Sequence, residues 1–186
     1  MKIAIIGAGA VGGYVAAKLA LAGEQVTCMV RGANLQAIRR SGIKLIMSDG
    51  SEQVAGNVTA TDDYAAAGPQ DMVILAVKAH QVEAVASDVP KLFGPDTVVV
   101  TMQNGIPYWY FHRHGGELAG SVVHSVDPSG LIGQKIPAER VIGCVVYPAA
   151  ELISPGVIKH IEGERFPVGE LDGAGSARVT RVSECF

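Results

Sequence analysis

The 186 residues carry 48% hydrophobic and 18% charged side chains, with a formal net charge of −3. That is ample material for a buried core and excludes disorder driven by low hydrophobicity, while the lack of a basic excess argues against a nucleic-acid partner. Aromatic residues make up only 5%, against 23 glycines and 9 prolines, so an aliphatic core cut by tight turns is expected, in one domain with a stub of another.

Met1 to Ile6 is a run of β-formers, and Ala10 to Ala22 is an Ala-rich helical stretch stopped by Gly23. Gln25 to Val30 reads as a second buried strand, completing a βαβ unit. The nearly uncharged start is not expected to be a signal peptide or membrane span, because Lys18 and Gly7, Gly9, Gly12 and Gly13 interrupt it. Ala33 to Arg40 should be a short helix. Ile43–Met47 and Gln53–Val54, separated by Asp49-Gly50, predict a hairpin of added surface strands.

Asp71 to Val77 is the most hydrophobic strand candidate, followed by a predicted helix from Gln81 to Phe93 and a strand at Thr97–Thr101. Continuous apolar strands alternating with helices imply a doubly wound, mainly parallel α/β sheet covered on both faces. Beyond Gly105 a short helix is expected at Pro107–His114. Strands are expected at Ser121–Val126, Val141–Tyr147, Val157–Ile161 and Arg165–Val168, as extra, partly antiparallel strands at one sheet edge. Val179 and Val182 are spaced as in an amphipathic helix over 174–186.

Gly7-Ala8-Gly9-Ala10-Val11-Gly12 is a GxGxxG placed between a strand and a helix. Its first glycine permits a tight turn, its second lets the backbone approach a pyrophosphate, and its third allows close helix–strand packing. This context points to a Rossmann-type dinucleotide site. At the end of the second strand, where NAD binders place an acid for the ribose 2′-hydroxyl, stands Arg31, whose guanidinium suits a 2′-phosphate; NADP(H) is favoured. Lys78 and Asn104 follow later strands, at the sheet edge where ligands of such folds bind.

Other residues carry plainer readings. His112-Arg113-His114 on a helix or turn points its rings apart, and no metal site is expected. His124 and Asp127 lack a Gly-x-Ser-x-Gly elbow, Asp62-Asp63 should begin a small helix, and Cys144 reads as a small buried hydrophobe. Cys28, Cys144 and Cys185 form no CxxC and suggest neither a disulfide framework nor a thiolate zinc site, so a cytoplasmic location is expected.

Together GAGAVGGY at 7–14, Val30-Arg31, Ala76-Val77-Lys78-Ala79-His80-Gln81, Gln103-Asn104-Gly105-Ile106-Pro107 and Ser154-Pro155-Gly156-Val157-Ile158-Lys159-His160 resemble the ketopantoate reductase (2-dehydropantoate 2-reductase) family. The resemblance implies an N-terminal NADPH-binding Rossmann domain and a C-terminal helical domain closing over a small 2-oxo acid. It assigns Gly7 to Gly12 to the pyrophosphate and Arg31 to the 2′-phosphate. It also puts Lys78 at the cofactor–substrate cleft, Asn104 at the nicotinamide ribose and substrate, and Ala149–Glu151 near the nicotinamide. On this reading residues 1–172 are the dinucleotide-binding domain and 173–186 the first helix of a helical domain otherwise absent, which in the family carries the proton-donating lysine. The expected activity is NADP(H)-dependent reduction of 2-dehydropantoate to pantoate, with NADPH binding but little turnover by these residues alone. A related 2-oxo acid, or an NADPH-binding sensor or interaction module without turnover, are the alternatives. Surface left uncovered by the helical domain would favour homo-oligomers. No membrane association is expected.

Overall fold

The computed structural model describes residues 1–186. Its main sheet takes β1 (Lys2–Ile6), β2 (Gln25–Met29), β5 (Thr59–Thr61), β6 (Gln70–Leu75), β7 (Phe93–Thr101), β8 (Val141–Cys144) and β11 (Val168–Gly169). Their order is β11-β8-β7-β6-β1-β2-β5, parallel throughout except for β11, which runs antiparallel to β8. The expected doubly wound α/β architecture is therefore present.

Strand periodicity feeds two separate cores. Ile3, Ile5, Met72, Ile74, Val98 and Val100 point into one, and Ala4, Ile6, Val73, Leu75 and Val99 into the other. Both sets are essentially solvent-free, as successive strand side chains pointing to opposite covered faces require. The first face is covered by α1 (Ala10–Leu21), the second by α4 (Glu83–Ala86), α5 (Leu131–Lys135) and the irregular turns around them.

A second sheet explains why α1 is apolar nearly all round. The order β4-β3-β10-β9 joins β3 (Ile43–Ile46), β4 (Glu52–Ala55), β9 (Ala149–Ser154) and β10 (Val157–Glu162), and this sheet packs on the side of α1 away from the main sheet. Approach is close: a β-carbon on Gly13 would lie 2.7 Å from Ile158 Cδ1. Tyr14 stacks on the buried His160 of β10 with centroids 4.8 Å apart, fastening helix to sheet.

Several expectations are corrected. The hairpin at 43–55 exists, yet Ile43, Leu45 and Ala55 are buried, and β3 pairs in parallel with β10, so β3 is an interior strand of the second sheet with β4 at its edge. Of the extra strands expected beyond Gly105, β8 and the antiparallel β11 do lie at one edge of the main sheet, whereas β10 belongs to the second sheet. The helix expected over 81–93 is broken into α4 and flanking 3-10 turns, because Pro90 offers no N–H and successive bonds run i to i+3, as from Asp88 to Val85 and Lys91 to Asp88. Pro107–His114 forms successive turns instead of a helix, with Arg113 at φ 56°. Ser121–Val126 forms no strand, since β8 already occupies the free edge of β7 and the segment bonds to itself in turns. The strand expected over 141–147 stops at Cys144, and that over 165–168 is reduced to Val168–Gly169. Unforeseen elements are β5, β9 and α5. Near the end α6 (Ala177–Ser183) forms as expected and buries Val182 completely.

Candidate cofactor site

Five chain segments emerge in a row at the carboxyl edge of the main sheet. Backbone bonds extend the ladder just past the strands: Met102 N–H donates to Leu75 O, Ala76 to Ile6, Gly7 to Met29 and Val30 to Thr61, at 2.9 to 3.1 Å. The residues that follow, Asn104, Lys78, the glycine loop, Arg31 and Asp62, are thereby delivered in that order along one edge. Here the strand order reverses direction about β1, the position at which open α/β sheets bind ligands.

The glycine loop forms as its sequence requires. Gly7 has φ 92°, and a β-carbon there would lie 2.6 Å from Val77 Cγ1. One on Gly12 would overlap the Gly7 carbonyl oxygen and lie 2.8 Å from Ala76 Cβ. Gly9 differs: nothing lies within 4 Å of its missing side chain. It lines an open cleft of about 630 Å³ together with Gly7, Ala8 and Arg31. Ala10, Val11 and Gly12 begin α1 directly beyond Gly9, so the unpaired N–H groups of the first turn and the positive end of the helix dipole stand at the crevice. Gly9 leaves the space a pyrophosphate needs, and the helix start supplies its donors. The residues present fit a dinucleotide.

The far end of the cleft mixes charges. Arg31, Asp62, Tyr64 and Asp88 all line it. Burial pushes the Tyr64 phenol up to about 12, with Asp88 adding to the shift and Arg31 opposing it. Asp88 is held by Lys91 at 2.6 Å.

Residues 3–173 match the family model described as ketopantoate reductase PanE/ApbA. The chain belongs to the ketopantoate reductase family. It is 51% identical over 185 residues to a 2-dehydropantoate 2-reductase of Mesorhizobium japonicum, covering 99% of this chain and 56% of that protein. A 2-dehydropantoate 2-reductase of Halobacterium salinarum is 26% identical, with 100% and 54% covered. A crystal structure from Ralstonia solanacearum MolK2, assigned to ketopantoate reductase, superposes with a TM-score of 0.93 at 46% identity, over 99% of this chain and 56% of its own. The chain thus spans little more than half the length of the relatives it matches. The family is one of NAD(P)-dependent oxidoreductases with a Rossmann-like fold.

Against that family pattern, the structure brings Gly7, Ala8, Gly9 and Arg31 to one cleft. Lys78 is exposed just beyond it, its N–H donating to Gln81 Oε1 at 3.2 Å. Asn104 is exposed in a smaller cavity of about 20 Å³, shared with Ala79. Glu151 is not among the residues lining either cavity; it lies exposed on β9, opposite Lys159 of β10.

Two positioning residues escape sequence reasoning. The Asn34 amide donates to Ala8 O, and Gln103 Nε2 donates to Leu75 O at 2.9 Å and Val77 O at 3.1 Å, stitching together the segments that carry Asn104 and Lys78. Both act through backbone atoms, which leave no motif. Of the acid pair expected to start a helix, only Asp63 does so, accepting from Ala65 and Ala66 N–H at 2.9 and 3.0 Å to cap α3 (Tyr64–Ala67); Asp62 lines the cleft instead. Asp127 is buried and caps α5 by accepting from Ile132 and Gly133 N–H, with no part in a triad. No helix is long and apolar enough to cross a membrane.

Proposed function

We propose that this chain is the cofactor-binding part of an NADP(H)-dependent reductase converting 2-dehydropantoate to pantoate. Residues 1–172 are the dinucleotide-binding domain, and 173–186 open a helical domain. The observation that carries the reading is the pairing, within one cleft, of the open Gly9 loop with the Arg31 guanidinium at the end of β2.

In this reading Gly9 and the start of α1 hold the pyrophosphate, and Arg31 grips the 2′-phosphate with two parallel N–H donors, a geometry a point charge cannot supply. Bound NADPH supplies the hydride. Asn104 orients the nicotinamide ribose and the substrate, and Glu151 approaches from β9. Lys78 offers positive charge to the alkoxide formed at the keto carbon; such stabilisation is commonly worth a factor of about 10² or more. The main proton donor comes from the helical domain. The protein works in the cytoplasm on a small 2-oxo acid.

Titration of NADPH and NADH into the chain and its Arg31→Ala variant tests the cofactor. Loss of the guanidinium should weaken NADPH about tenfold or more, ~1.4 kcal/mol, and leave NADH within about twofold. Equal weakening of both refutes the NADP(H) assignment. NADPH oxidation by the full-length protein, compared between 2-dehydropantoate and other 2-oxo acids, tests the substrate.

A further inference from the structure

Building on the dinucleotide reading above, we propose that Asp62 is a specificity-determining residue, offering a carboxylate acceptor to a free ribose 2′-hydroxyl beside Arg31 and so limiting the preference for a 2′-phosphate.

The juxtaposition rests on adjacent strand ends and a shared cleft. Strands β2 and β5 are parallel neighbours with Met29 opposite Thr61, and Val30 N–H donates to Thr61 O at 3.0 Å. Continued one step, that register sets Asp62 level with Val30, the residue before Arg31, and both Arg31 and Asp62 line the cleft that holds the glycine loop. An NAD site of this fold places its acid where this chain has Arg31. The neighbouring strand returns an acid to the same end.

Of the acids nearby, Asp62 alone is free for this task. Asp63 is committed to the cap of α3 and Asp88 to Lys91. Neither Arg31 nor Asp62 takes part in an ion pair within the protein. A 2′-hydroxyl donates to a carboxylate and gains little from a guanidinium, whereas a 2′-phosphate gains from the guanidinium and is repelled by the carboxylate. Two opposite charges at one ribose thus divide the preference, and their balance fixes the ratio of the two affinities.

Asp62→Asn keeps the shape of the side chain and removes its charge at an exposed position. Dissociation constants for NADPH and NADH would be measured by nucleotide fluorescence for the unaltered chain, Asp62→Asn and Arg31→Ala. Expected for Asp62→Asn is NADPH bound about threefold more tightly and NADH about threefold more weakly, shifting the ratio roughly tenfold toward NADPH. A ratio unchanged within twofold overturns the role of Asp62. If Arg31→Ala still weakens NADPH selectively in that case, the cofactor reading stands and only this inference falls. If the unaltered chain binds neither nucleotide, both fall together.

Discussion

The side-chain amide of Asn34 donates to the carbonyl of Ala8 at 2.6 Å. Its oxygen accepts from Gly156 N–H at 2.8 Å, so one residue in the first turn of α2 (Gly32–Ser41) ties the glycine loop to the turn between the second-sheet strands β9 and β10. Asn34→Ala strands two partly buried backbone groups and is expected to cost about 1–3 kcal/mol. Urea unfolding measures this, and a change below about 0.5 kcal/mol, the range of ordinary surface substitutions, would show that the bridge is not structural. Dinucleotide affinity should fall as well, because the Ala8 peptide loses its anchor.

Gly9 and Gly12 should respond oppositely to alanine. At Gly12 the new carbon meets the Gly7 carbonyl and Ala76, so Gly12→Ala should destabilise the fold by about 1–3 kcal/mol, the cost of overpacking. At Gly9 it meets nothing. Gly9→Ala should keep the thermal midpoint within a few degrees and weaken NADPH about tenfold or more by filling the phosphate's space. Loss of folding in Gly9→Ala, or unimpaired binding, would contradict the cradle.

Stability should decline in alkali. Burial pushes the Cys28 and Cys144 thiols up from 9.0 to about 12, and the Tyr64 phenol up from 10.0 to about 12. Between about pH 9 and 12 the unfolded chain releases protons that the folded chain retains, so unfolding becomes easier as pH rises and the stabilisation is fully present only below pH 9. A fully buried group such as Cys28 contributes a slope of up to about 1.4 kcal/mol per pH unit. Urea midpoints at pH 8, 9.5 and 11 should fall in that order, and Cys28→Ala should flatten the decline.

Arg178 anchors the last helix. It pairs with Glu170 at 2.5 Å and donates to the carbonyls of Glu139 and Val141, while Ser176 caps α6 by accepting from Val179 N–H. Arg178→Met should release α6, seen as faster hydrogen exchange over 177–186, with the central strands unchanged. Unaltered exchange would show that burial of Val182 alone holds the helix.

What could be read in the sequence follows from how locally each feature is determined. The β1–α1–β2 unit and its loop were legible because Gly7 and Gly12 have no steric alternative, and Arg31 because strand register delivers it. The second sheet was not legible. Its central pairing joins Lys44 to Val157, and no periodicity within either segment records a partner so distant. The segment 81–93 has the spacing of a helix in Val82, Ala86 and Val89, but Pro90 and tight packing over the sheet shorten its turns. Asp62 and Asp63 are chemically identical neighbours, and only the backbone path decides which caps a helix and which faces the cleft.

The parallel pairing of β3 with β10 also bears on how the chain is made. After the hairpin ending at Ala55 has left the ribosome, about 100 residues must follow before Val157–Lys159 can pair with it. At roughly 5–20 residues per second, β3 waits some 5–20 s with Ile43 and Leu45 uncovered and one edge open. The chain is thus expected to need holding by a chaperone during that interval, a demand set by topology rather than by final stability.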